Sequence, residues 1–354
     1  MSLRDEPAAA RPGEELDPAR LGAYLAGPVP GFGPALEVQQ FPAGFSNLTY
    51  LLRAGGQELV LRRPPFGTKP RTGHDMAREF RVLSALAGHF PYGPRAVHYC
   101  ADESVIGAPF YVMERLTGLI LRHRYPPDLP PTPELARAQQ TALVDVHARL
   151  HAVDYAAAGL AELGRPEGYV ERQVQGWAER YQRARTPGAP GFEETVAWLG
   201  SHLPRSSGAA LIHNDYKLDN VVFDPAEPRR LKGVLDWEMA TVGDPLLDLG
   251  CSLAYWVQAD DPDWLRETAL LPTAVPGSLS RRQVLERYAE ASGREVGDAR
   301  FHYVFGIFRL AGIAQQIYYR FHLGQTRDPR FAALGASVER LARAAQAAAA
   351  GELL

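Results

Sequence analysis

Three kinds of residue pattern are scarce in this chain of 354 residues, and each scarcity narrows what the protein can be. Only two cysteines occur, Cys100 and Cys251, alone in apolar contexts and without C-x-x-C spacing. That argues against a disulfide framework and against a zinc site, and leaves buried thiols as their reading. Lysine and asparagine number three each (Lys69, Lys217, Lys232; Asn47, Asn214, Asn220), while arginine supplies the rest of the 38 basic residues. Coding bias and thermal adaptation would both leave that mark. Long apolar runs are missing too: no stretch reaches the ~18 residues of a membrane span. The start, MSLRDEPAAARPGEELDP, is polar and acidic rather than a basic arm before an apolar core. The expectation is a soluble, cytoplasmic protein with no membrane partner. Net charge is −3 and the arginines are scattered, so no nucleic-acid footprint is expected. No internal repeat is found. With 46% hydrophobic residues, the chain can build one large domain or two lobes sharing a cleft.

What the sequence does carry is concentrated between Leu211 and Gly250. Two of the three asparagines and one of the three lysines fall within eight residues, His213-Asn214-Asp215-Tyr216-Lys217-Leu218-Asp219-Asn220. The pattern is H-x-D-x-x-x-x-N, followed after a turn-rich break by an apolar run that ends on Asp236. Transfer of a γ-phosphoryl group needs such a set. One carboxylate accepts the proton of the attacking hydroxyl, and a second carboxylate and a carboxamide hold the magnesium that neutralises the phosphates. Asp215 fits the first role. Asp236 and Asn220 fit the second, since a hard cation takes oxygen ligands and an amide carbonyl supplies one without adding charge. Short apolar runs at 218–223 and 231–235 around the turn 224–228 predict a hairpin that delivers Asp236. Lys217, two residues after the base, could reach the transferring phosphoryl group, whose negative charge is spread over three oxygens. The plainer alternatives are a hairpin with solvated Asp and Asn turn residues and a solvated loop lysine.

These residues carry a resemblance. The stretch resembles the catalytic loop and magnesium aspartate of the aminoglycoside phosphotransferase and choline kinase superfamily, small-molecule relatives of protein kinases. Within it, the chain is most similar to the branch found as the kinase-like domain of some acyl-CoA dehydrogenase fusions. Where protein kinases have H-R-D and D-F-G, this chain has His213-Asn214-Asp215 and Asp236-Trp237-Glu238. The likeness covers nearly the whole chain after residue 20, most specifically at 213–250, less so at 44–80 and least beyond 255. It implies a protein-kinase-like two-lobe α+β fold, with a small antiparallel β-sheet lobe containing one helix and a larger, mainly helical lobe. It implies ATP and Mg2+ as cofactors. It also implies that Asp244 and Asp248, in the family's G-D-P-x-x-D, brace the catalytic loop, and with His213 they are read as structural support.

Strand patterns cover 38–41, 48–53 and 58–62, then 97–101 and 110–114. Between the first two, Pro42-Ala43-Gly44-Phe45-Ser46-Asn47 offers a glycine and short donors where backbone must approach phosphate, and it holds the third asparagine. It resembles the family's G-x-S-N phosphate loop, which makes Ser46 and Asn47 candidates; an ordinary hairpin loop is the alternative. Alternation puts Val60 and Arg62 on one face of 58–62, Leu61 and Arg63 on the other. The kinase arrangement, with an adenine-packing residue two before the phosphate-binding cation, selects Val60 and Arg62, while Arg63 remains the other candidate cation. By the same analogy Glu79, in a helix expected over 74–86, is the partner of Arg62. Main-chain groups of Glu114 and Leu116 would bond the adenine edge.

Downstream, Thr132-Pro133-Glu134 opens a helix to about residue 150. His147 and His151 share one of its faces; without an acidic base between them they are expected as core or capping histidines rather than metal ligands. Amphipathic helices over 169–184 and 192–203 could wall an acceptor site. The segment 301–319 is nearly apolar apart from Arg309, Gln315 and Gln316. A buried arginine there needs a partner, either an anionic group of the acceptor or an acid of the interior. The expected organisation is a mobile N-terminal arm over 1–20, a nucleotide-binding lobe over 21–117, and a catalytic and acceptor-binding lobe over 118–354. The expected activity is ATP- and Mg-dependent phosphorylation of a small-molecule hydroxyl, with a nucleotide-binding pseudokinase and a protein-binding scaffold as rivals. Aminoglycoside kinases hold their polycation with carboxylates near the C-terminus, whereas this chain ends AAAAGELL. An aminoglycoside is therefore disfavoured, and the branch suggests a hydroxylated acid or acyl thioester.

Overall fold

In the computed structural model the described residues are 6–42, 47–66, 75–326 and 328–354. The chain divides into two compact units: Met1–Ile120 with Ala158–Leu160 and Asn220–Ala240, and Leu121–Ala157 with Ala161–Asp219 and Thr241–Leu354. The first unit includes the hairpin that carries Asp236.

In the first unit, Asp17 caps helix α1 (Pro18–Leu25), accepting from the backbone of Ala19 and Arg20. Pro18 sits in the first turn, where its missing N–H costs nothing. Strands β1 (Glu37–Gln40), β2 (Leu48–Ala54), β3 (Gln57–Arg63), β4 (Ala96–Cys100) and β5 (Phe110–Glu114) form an antiparallel sheet in the order β1-β2-β3-β5-β4. Gly55 and Gly56, both at positive φ, make the tight β2–β3 turn. Alternation then gives the sheet two distinct faces. Leu59 and Leu61 join Leu21, Leu25, Tyr50, Leu52, Phe110 and Val112 in one core. The opposite face carries Val60, Arg62 and Tyr111, and helix α2 (Met76–Leu86) packs there, with the Phe80 ring 6.4 Å from Tyr111 and 5.9 Å from Tyr99. His74, expected in this helix, lies outside the described residues.

Part of the stretch expected as a mobile arm is packed against this sheet. Ala8 and Gln40 exchange backbone hydrogen bonds, the Tyr50 hydroxyl donates to the Glu14 carbonyl, and Leu16 is only 8% exposed. The two backbone bonds and the buried leucine supply what holds it. Strands β6 (Ala210–Ile212), β7 (Val221–Phe223), β8 (Leu231–Val234) and β9 (Thr241–Gly243) make two short antiparallel ladders, β7 with β8 in the first unit and β6 with β9 in the second. Leu119 exchanges both backbone bonds with Phe223, and a Cβ on the neighbouring Gly118 would lie 2.4 Å from the Phe223 carbonyl oxygen.

The second unit is mainly helical. Thr132 caps α3 (Pro133–His151). Then come α4 (Tyr169–Ala184), α5 (Glu193–Ser201), α6 (Pro245–Leu253), α7 (Asp263–Arg266), α8 (Arg281–Ser292), α9 (Arg300–His322) and α10 (Leu334–Ala349). Helices α6 and α9 approach backbone to backbone: a Cβ on Gly250 would lie 2.1 Å from the His302 carbonyl, and one on Gly306 would lie 2.1 Å from the Gly250 carbonyl. Among the described residues no helix is long and apolar enough to cross a membrane.

Candidate active site

In the first unit the β7–β8 register sets the geometry. Val221 pairs with Val234, and the next N–H along β8, from Leu235, donates to the Asn220 carbonyl at 2.8 Å. Asn220 and Asp236 therefore stand at the same end of one hairpin. Asp236 adopts φ 66°, left-handed for a non-glycine residue. Such a conformation costs on the order of 1–3 kcal/mol and persists where surrounding bonds over-determine it. Those bonds are present. Arg62 donates to Asp236 Oδ1 from both terminal nitrogens at 3.0 Å, to Glu79 at 2.5 Å and to Glu238 at 3.2 Å. Arg62 is 7% exposed and Glu79 2%. Burial alone would pull the Arg62 pKa down, but Glu79 and Asp236 outweigh it and hold it well above the ordinary value.

Asn47 donates its amide to Glu238 at 2.7 Å, which ties the end of the glycine loop to the same cluster. Ser46 lies outside the described residues. Val60 shares the face of Arg62 and is buried. Arg63, the other candidate cation, goes elsewhere: it donates to the Pro64 and Ile106 carbonyls and lies over the Phe66 ring at 3.7 Å. Glu114 ends β5 with its carboxylate on the Arg95 N–H, and the Leu116 side chain covers Gly233.

In the second unit Asp248 organises the loop that begins at His213. It accepts from the backbone N–H of His213 at 2.9 Å and of Asn214 at 2.7 Å, and it meets Nε2 of both His147 and His151 at 3.1 Å. Burial would raise its pKa, but the bonds to the two histidines hold it well below the carboxylate range. His151 also meets the Tyr288 hydroxyl at 2.6 Å, and burial pushes it down to about 4. His147 stacks on Tyr216, whose hydroxyl donates to the Leu143 carbonyl. His213 is fully buried, and its Nδ1 takes the Asp215 N–H at 3.3 Å. Asp244 caps α6 and also holds the Ser207 backbone and hydroxyl. The ligand-type atoms of His147, His151 and Asp248 lie within 4.8 Å of one another, but their hydrogen bonds already account for the arrangement.

On that braced loop Lys217 Nζ lies 2.5 Å from Asp215 Oδ2 and 3.5 Å from Asp219 Oδ1, and 5.3 Å from the centre of the Tyr255 ring. Burial would lower the lysine pKa, but the two aspartates raise it far above its usual value. Arg309, 3% exposed on α9, sits over Trp177 at 5.3 Å and acts electrostatically on Cys251, Tyr255 and Asp215.

Residues 37–299 match the phosphotransferase enzyme family. The chain belongs to this family. It is 35% identical over 329 residues to acyl-CoA dehydrogenase family member 10 of Mus musculus, covering 92% of this chain and 30% of that protein. It is 36% identical over 326 residues to acyl-CoA dehydrogenase family member 11 of Homo sapiens, covering 88% and 40%. The chain spans less than half the length of these curated relatives. Among solved structures, a Ralstonia eutropha protein provisionally named an aminoglycoside phosphotransferase superposes with a TM-score of 0.80 at 33% identity, over 95% of this chain and 99% of that one. Choline kinase from Cryptosporidium parvum superposes with a TM-score of 0.62 at 12% identity, over 95% and 98%. The fold is the protein-kinase-like two-lobe α+β fold.

Within this member of the family the first unit groups Asn47, Arg62, Glu79, Asn220 and Asp236, and the second groups His213, Asp215, Lys217, Asp248 and Arg309. Four participants escape sequence reasoning: Glu238, Arg78, Asp219 and Tyr255. Glu238 had a signal in its position two after Asp236. Arg78, next to Glu79, donates to the Glu238 and Ala240 carbonyls, and nothing in its local sequence indicates that bond. The set also suits a divalent cation. Asp236 and Asn220 offer oxygen donors, and Arg62 faces three carboxylates, which leaves excess negative charge beside them.

Proposed function

We propose that this phosphotransferase transfers the γ-phosphoryl group of ATP, with Mg2+, to a hydroxyl of a small anionic acceptor, such as a hydroxylated acid or acyl thioester. The observation that carries the reading is the buried Arg62 guanidinium shared between Glu79 and Asp236. A scaffold has no use for a desolvated cation braced by one acid and aimed at another, whereas a nucleotide site needs a rigid fork for phosphate oxygens. Val60 would pack on the adenine, main-chain groups of Glu114 and Leu116 would bond its edge, and Asn47, with Ser46, would meet the phosphates. Asp236 and Asn220 would hold Mg2+, which supplies positive charge against the phosphate oxygens. Asp215 takes the acceptor's hydroxyl proton as that oxygen bonds to the γ-phosphorus. The bond from phosphorus to the β,γ-bridging oxygen breaks, and ADP leaves with the electron pair. Lys217 meets the charge on the transferring group. Arg309, buried and within electrostatic reach of Asp215, would take the acceptor's anionic group, and the curated relatives' names concern acyl-CoA chemistry.

Calorimetric titration with ATP, with and without Mg2+, tests the reading. Magnesium-dependent binding followed by phosphorylated product is expected. A chain that binds no nucleotide in either condition is a scaffold. One that binds ATP and never turns it over on any acceptor is a pseudokinase.

A further inference from the structure

Lys217 has two carboxylates within reach, and the reaction as derived uses only Asp215. The other, Asp219, places Oδ1 3.5 Å from Lys217 Nζ. That oxygen is buried and makes no hydrogen bond, alone in this among the carboxylate oxygens of the second unit's described residues. Acids that hold this unit's backbone look different: Asp244 and Asp248 have both oxygens bonded to backbone or side-chain donors. Asp219 has an acceptor to spare, aimed at the lysine. The ammonium carries three donors on a flexible stem, and the Tyr255 ring 5.3 Å away limits where it can swing. A shift of about 0.7 Å would bring Nζ to the ~2.8 Å of a charge-assisted hydrogen bond with Asp219. As the loop stands, Lys217 instead occupies Asp215 Oδ2, one of the two oxygens able to receive the hydroxyl proton. Arg122 also acts electrostatically on Asp219.

We propose that Asp219 is a positioning residue that gives Lys217 a second seat, drawing it off Asp215 when an acceptor hydroxyl arrives. Asp215 is then free to take the proton while the ammonium turns to the transferring phosphoryl group. This role presupposes Asp215 as base and Lys217 as the partner of the phosphoryl group.

Two measurements on the full chain test it. The first needs no turnover: with only three lysines, lysine-selective 13C and 15N labelling gives side-chain spectra simple enough to assign. The Lys232 signal, from a side chain that donates to the Thr117 carbonyl, reports whether each variant folds. In Asp215→Asn the Lys217 signal is expected to stay dispersed, because Asp219 receives the ammonium. It should reach the free-lysine position only in Asp215→Asn/Asp219→Asn. Release of Lys217 in Asp215→Asn alone overturns the second seat. The second measurement is ADP release from Mg-ATP with water as acceptor. Asp219→Asn should lower the rate ~10–100-fold, as lost placement of a charged group does, with the KM for ATP unchanged. In a Lys217→Met background it should cost less than about twofold, since non-additivity marks groups that act as a unit. A full penalty in that background means that Asp219 acts without the lysine, which overturns the proposal. A parent that releases no ADP counts against the kinase reading itself, while the spectra still decide where Lys217 sits.

Discussion

Asp215 is carried by a loop with little freedom, since the two residues before it give their N–H groups to Asp248 and Asn214 is held at φ 64°. As the proposed base, a carboxylate placed this firmly should be sensitive to chemistry and tolerant of shape. Asp215→Asn is expected to lower turnover ~10²–10⁴-fold while ATP still binds, and steady-state rates beside calorimetry check it. Lys217→Met should cost ~10²–10³ in kcat with little change in ATP affinity, and Lys217→Arg should recover part, because the charge survives while its point geometry does not. Arg309→Met should raise the acceptor KM; an unchanged KM makes Arg309 an interior structural cation. At this scale the sequence was informative where chemistry is written in residue type and parity. Alternation put Arg62 and Val60 on one face. It was silent on Glu238, whose partner Asn47 lies 191 positions away, and on the carbonyls that occupy Arg63.

Among the elements, the β7–β8 hairpin was legible because turn residues separate two apolar runs, and its register is what sets Asn220 beside the end that carries Asp236. Asp236→Ala should abolish the magnesium dependence of ATP binding more completely than Asn220→Ala, because a charged ligand is lost in one case and a neutral one in the other. Identical, parent-like profiles for both would refute the shared metal site. Helix α3 offers a separate test in its histidine pair. His151 has its folded pKa pushed down to about 4 by burial, from an ordinary 6.5. Its contribution is therefore complete above pH 6.5 and is lost as pH falls toward 4, where the unfolded chain takes up the proton first. The loss amounts to roughly 3 kcal/mol at 1.36 kcal/mol per unit. Chemical denaturation between pH 7 and 4 should show that slope in the parent and a flatter one in His151→Gln. The spacing of His147 and His151 predicted one helix face, but not that Asp248, 97 residues further on, would accept from both.

Across the whole molecule, helices with capped starts and strands with turn residues were readable because their signals are local. The make-up of each unit rests on long-range bonds instead. The Asn220–Ala240 stretch follows the 213–219 loop in sequence yet belongs with the sheet, through backbone bonds from Leu119 to Phe223 and from Val234 to the Tyr92 carbonyl. Residues 8–16 looked like an arm by composition, and long-range bonds to Gln40 and Tyr50 hold them. The central claim is the proposed phosphoryl transfer from Mg-ATP with Asp215 as the base. Its most direct test is mass spectrometry on a panel of hydroxylated acids, their thioesters and amino sugars incubated with Mg-ATP, using the parent chain and Asp215→Asn in parallel. The account predicts that an acidic or thioester acceptor gains one phosphate group with stoichiometric ADP in the parent, and that the gain falls by two or more orders of magnitude in the variant. Phosphorylated product forming equally well with Asp215→Asn, or no product from any acceptor while Mg-ATP binds, would contradict it.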